Sequence, residues 1–158
     1  MACAMVHLRL RQFAVLGLVL SVLAAPSRLV GSGPPTLEEL KARVPNASIS
    51  ERAVLCVHIS ELQLDTADRF YVAGDSEKAQ AALADAVAFS ELARDYSIQS
   101  HKHEKQSEIA IRKMVHKLAD MKHKVSHEDQ EQVQAAIDRL QRIRDDLLAA
   151  MFPKGVKK

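Results

Sequence analysis

Between Gly74 and Gly155 the chain has no glycine, and between Pro45 and Pro153 it has no proline. These two residues are the strongest backbone punctuation a sequence offers, and a sandwich or barrel needs turn signals every 8–12 residues or so. Most of this chain has none. The stretch is filled instead by Ala, Leu, Glu, Lys, Gln and Arg, which give up least on entering a helix. Two tyrosines and four phenylalanines in 158 residues leave little of the aromatic content that strands favour. The sequence therefore predicts an all-α fold of antiparallel hairpins or a bundle, with a long central helix that is either straight or bent.

The N-terminus sets the boundaries of that domain. His7, Arg9 and Arg11 precede an apolar run, Phe13–Ala25, which has the length of a secretory signal and falls short of the ~20 residues that span a bilayer. Val22 and Ala24 are the small residues expected before a cut, so residues 1–24 are read as a signal peptide and the protein as exported, periplasmic or extracellular. Contact with a membrane is expected only through that segment. Residues 25–35 form a Pro/Gly/Ser linker. A short helix and loop follow over 36–48, with Thr36 and Glu39 spaced as a capping box. The helical domain covers 49–153, and 154–158 is a basic tail.

Removal of the signal leaves 20 basic against 20 acidic side chains, a balance that argues against nucleic acid as a partner. It also leaves Cys56 as the one cysteine. The apolar stretch Ala53–Ile59 places it in the core, and the sharper alternative is a disulfide between two chains.

The first helix of the domain is expected over about Ser50–Ala73, closed by Gly74 in the left-handed conformation and followed by Asp75 as the next cap. Phe70, Gly74-Asp75, Ala79, Leu83 and Ala86 have the spacing of aromatic, turn and small positions that resembles a tetratricopeptide hairpin. The resemblance spans residues 64–90. Glu91 stands where that motif ends in proline, and no second copy follows. It implies one hairpin packed in that manner, without the peptide-binding groove of a repeat array.

From Ala79 a heptad-like frame runs on through Leu83, Ala86, Ser90, Ala93, Ser97, Ser100, Glu104, Ser107, Ile111, Met114, Leu118, Met121 and Val125. Its middle is polar, and residues 99–108 have no apolar side chain. Two architectures satisfy this pattern. A continuous helix of about 75 Å (1.5 Å per residue) would join two separate helical pairs. A bend near 99–104 would instead give four helices in an antiparallel bundle. The kept register and the lack of Gly or Pro favour the continuous helix, with exposed pairs free to dimerise.

The last helix starts at Ser126, with Asp129 in capping-box register, and presents Val133, Ile137, Leu140, Arg144, Leu147 and Met151 at helical spacing. Just before it, His116, Asp120, His123 and His127 align within about 60° on a helix. Imidazole and carboxylate at that spacing can hold Zn, Cu or Ni. They lie opposite the Met114/Leu118/Met121/Val125 stripe, so a solvated face is the default and no cofactor is expected.

Residues 99–127 carry seven basic and three acidic side chains plus five histidines, whereas 25–98 carry seven basic and eleven acidic. That belt serves either internal charge complementarity or an anionic surface as partner. No Gly-x-Ser-x-Gly, phosphate-cradling glycine loop or His-Glu-x-x-His occurs, so an enzyme is not expected. The functional expectation is protein–protein contact or self-association, supported by the heptad frame and the small-residue face Ala79/Ala82/Ala86/Ala93. The alternative is a metal-responsive envelope protein or a periplasmic chaperone-like protein using the His-rich basic helix. Val125–Asp129 is only a distant echo of the Leu-Thr-x-x-Gln motif such chaperones carry.

Overall fold

Capping chemistry decides where each helix begins. The computed structural model describes residues 34–153; the stretches read above as signal peptide and linker, up to residue 33, and the basic tail 154–158 lie outside them. Five α-helices follow one another: α1 Leu37–Arg43, α2 Ile49–Val72, α3 Ser76–Ser100, α4 Glu104–Lys122 and α5 His127–Met151, with a 3-10 turn Val44–Asn46 after α1. Thr36 and Glu39 form the expected capping box. A second box, Ser48 with Glu51, starts α2. Asp75 and Ser126 cap α3 and α5 by accepting from the backbone N–H groups of Lys78 and Asp129.

The four long helices form an all-α bundle. α2 packs on α3, α3 on α5, α5 on α4 and α4 on α2, while α2 and α5 stand diagonally without contact. Successive helices run antiparallel. Consequently α2 and α4 are parallel neighbours, bridged by Lys117 Nζ to Asp65 at 2.6 Å, and so are α3 and α5, bridged by Arg139 Nε to Glu91 at 2.6 Å. α1 lies across α2 and α3 with Leu40 buried beside Leu55 and Ile59. Lys41 holds it there through Asp85 at 3.3 Å, with its ammonium 5.6 Å from the centre of the Phe89 ring.

The heptad frame is the core. Ala79, Leu83, Ala86, Ser90, Ala93 and Ser97 are buried from α3, and Ser107, Ile111, Met114, Leu118 and Met121 from α4. Val133, Ile137, Leu140 and Leu147 complete it from α5, joined by Ile143. The polar middle of the frame is buried at both ends, with Ser100 and Glu104 half-buried at the turn between. Ser97 and Ser107 pair their hydroxyls at 2.8 Å, and Ser90 lies 3.1 Å from Ser60 while donating to the Ala86 carbonyl. A serine bonded back to its own helix behaves as a small, satisfied core side chain. With Ala53, Cys56 and Ala93 these serines make a seam of small side chains that lets α2 and α3 approach closely.

The continuous helix is not what forms: the chain reverses at residues 101–103. The register survives because the turn consumes three residues and returns Ser107 to Ser97. Lys102 N–H donates to the Ser97 carbonyl and His101 N–H to that of Ile98, both at 3.3 Å. This is the double return of a Schellman motif, which Gly74 also makes after α2 through Asp75 to Phe70 and Gly74 to Tyr71. At the second site the left-handed position is held by His101, φ 50°, and His103 follows at φ 68°. Histidine tolerates this region better than most residues, and that is why no glycine announces the break.

The conformation gives a test whose sign separates the two architectures. His101→Gly relieves left-handed strain and is expected to raise the unfolding free energy by about 0.5–1 kcal/mol, after the entropy glycine adds to the unfolded chain. Inside a continuous helix the same change costs about 1 kcal/mol. Urea midpoints at unchanged m-value decide it.

Candidate functional surfaces

The four residues singled out as metal ligands are all solvent-exposed. His116 and Asp120 sit on α4, His123 directly follows that helix, and His127 opens α5 after the turn at Ser126. The corner places His127 on a separate element, so the alignment expected for one straight helix is broken there. Among the described residues no group of three or more His, Cys, Asp or Glu comes together in a way that could hold a metal ion.

The basic belt is partly spent inside the molecule. Lys117 bonds Asp65 and reaches Asp68 at 3.7 Å, and Lys122 donates to Gln134. Glu108, almost fully buried, accepts from Arg144 at 2.8 Å with Arg112 at 3.7 Å. Lys105, Arg112, Lys113 and Lys124 remain exposed, as do His116 and His123. Part of the belt thus serves internal complementarity, and its outer side is an open cationic face.

His103 is a residue with a structural task that spacing alone did not reveal. Its Nδ1 lies 2.6 Å from Gln106 and its Nε2 3.0 Å from Ser50, tying the α3–α4 turn to the start of α2. It also borders an open groove of about 560 Å³ lined by Ala42, Ala47, Val54 and Leu55, with Arg43 and Glu51 alongside. Ile49 and Val54, 39% and 47% exposed, are large apolar side chains left outside the core next to it.

The small-residue face proposed from sequence is a correction. Ala79, Ala82, Ala86 and Ala93 are buried, because the register that made them a stripe also turns them onto neighbouring helices. Ala81, Ala84 and Ala88 are the exposed alanines of α3, and the last two lie on the side toward α5. With Leu83, Val87, Ala135 and Ala136 they floor a groove of about 320 Å³ between α3 and α5. The Glu91–Arg139 pair crosses its end, and Arg94 bonds Asp146 at 2.8 Å one turn further along.

Asp129 sets the position of α5 against α3. Its carboxylate, on a residue only 3% exposed, accepts from Ser126 at 2.6 Å, Ser76 at 2.7 Å and Gln80 at 2.9 Å. Asp129 does not complete a capping box, since its carboxylate bonds the Ser126 hydroxyl and not the Ser126 N–H. Its remaining bonding capacity staples the start of α3. Bonds from Ser126, Ser76 and Gln80 hold its pKa below the ordinary aspartate range. A depressed pKa contributes stability above the unfolded value of about 3.9 and loses it as pH falls through the folded value. Asp129→Asn is therefore expected to cost about 1–2 kcal/mol at neutral pH and to flatten the loss of stability below about pH 4. Urea unfolding across the acid range reads both effects.

No described helix is long and apolar enough to cross a membrane. No protein-family model, curated protein or solved structure matches the chain.

Proposed function

We propose that this chain is an exported, non-enzymatic helical protein that works by protein–protein contact, through self-association or a partner chain. One observation carries the reading: the outside of the bundle keeps two grooves with apolar floors and charged rims, one beside α1 and one between α3 and α5. Alanine, valine and leucine at the floor with ion pairs around them are the make-up of a contact patch with a desolvated centre and a polar rim. Export rests on the signal-like character of residues 1–24.

The test is the mass of the purified protein over a range of concentrations, with stoichiometric co-purification from its own compartment beside it. A mass above the monomer, or one partner held at a fixed ratio, is the expected result. A monomer at every concentration that retains no partner ends the reading.

A further inference from the structure

The outer face of α5 carries a charge order that becomes its own complement when a second copy is turned end for end. Glu128, Glu131, Ala135, Arg139 and Arg142 are all exposed and, at 100° per residue, fall within about 80° of one another. Their order is acid, acid, alanine, base, base. Glu131 and Arg139 stand four residues either side of Ala135, and Glu128 and Arg142 stand seven.

We propose that two copies of this chain pair through this face, antiparallel, about a two-fold axis at Ala135; the inference rests on the protein-contact reading above. On that axis Glu128 faces the partner's Arg142, and Glu131 faces the partner's Arg139. Each contact is made twice, as a two-fold interface requires. A parallel pairing sets like charges against one another and is disfavoured.

The surface supports this geometry at its centre as well as its rim. Ala135 belongs to two grooves at once, the 320 Å³ one toward α3 and one of about 530 Å³ toward α4. It is thus the low point of a ridge between two furrows, where the lack of a long side chain allows two helices to cross closely. The ridge of one copy fills the alanine-floored furrow of the other, over Ala84 and Ala88. Glu128, Glu131 and Arg142 make no ion pair among the described residues. Arg139 is held in place by Glu91.

Sedimentation equilibrium on the whole protein, from about 1 to about 100 µM, tests the pairing with three proteins: wild type, Arg142→Glu, and the swap Glu128→Arg/Arg142→Glu. Both substituted side chains, Glu128 and Arg142, are in solvent, so the circular dichroism should hold and the melting curve should move little, by no more than the loss of an acid from the first turn of α5. The expected result is a dimer whose dissociation constant rises at least about tenfold in Arg142→Glu and returns toward wild type in the swap, with weakening by salt. A wild-type dimer indifferent to Arg142→Glu, or not restored by the swap, overturns this face while leaving self-association standing. A wild-type monomer throughout overturns the pairing and self-association together, and leaves contact with a different chain to the co-purification experiment.

Discussion

Leu118→Ala is expected to lower the unfolding free energy by about 3–4 kcal/mol. Leu118 lies in the middle of α4 and is fully buried, in the cluster that holds Ile111, Met121, Val133 and Ile137. Truncation removes the transfer free energy of the lost carbons and leaves a cavity. A bundle that contributes side chains from several helices around the site cannot readily collapse into it. Val72→Ala is the matched control. Val72 is 84% exposed, and its truncation should stay within about 0.5 kcal/mol. Urea unfolding of both variants gives the comparison. A loss below about 1.5 kcal/mol for Leu118→Ala would mean that the α4 seam faces an open surface, as it would in a straight central helix with separate pairs.

The seam was legible because period is a property of the residues themselves. Fourteen positions spaced four and three apart, from Ala79 to Val125, identify the inward side of α3 and α4, and the structure buries eleven of them. What period cannot distinguish is a straight helix from two helices joined by a turn that preserves the register. Ser97 and Ser107 meet across that turn, so the frame is as regular in the folded bundle as it would be in a rod. The information that breaks the helix lies in two histidines with positive φ, a residue type whose tolerance for that region is too weak to be read as a stop. Serine was misleading for a related reason. In sequence it counts as polar, whereas Ser60 and Ser90 bond back to their own helices, Ser97 pairs with Ser107, and all pack as small side chains.

The surface was less legible than the core. His116, Asp120, His123 and His127 align only on a helix that continues through Ser126, and Ser126 is a cap. The capping serine was visible in the sequence and so was the consequence for His127. The buried fate of Ala79, Ala82, Ala86 and Ala93 required knowing that both neighbours of α3 come from the same chain. Once those alanines are spent on the core, Ala84, Ala88 and Ala135 are the exposed small side chains along the α3–α5 groove. The self-complementary charges around Ala135 are fixed by sequence, yet they acquire meaning only when α5 is known to turn that side outward.

Cys56 should resist thiol reagents in the native protein by about a thousandfold or more relative to an unfolded chain. Two consequences of the same burial act in that direction. The thiol is fully buried against the small-residue seam of α2 and α3, so a reagent must wait for the helices to part. Burial also pushes its pKa up to about 11, so near pH 8 only about one molecule in a thousand carries the reactive thiolate. The same burial removes the inter-chain disulfide that sequence left open, because no sulfur of a second chain can approach. In a protein prepared from residue 25 onward Cys56 is the one thiol, so a chromogenic disulfide should titrate one sulfur per chain in denaturant and almost none in buffer. Modification in buffer should quicken with urea, as it does when labelling follows opening of the fold. Fast labelling of the folded protein, or a covalent dimer on a non-reducing gel, would place Cys56 at a surface and reopen the α2–α3 seam.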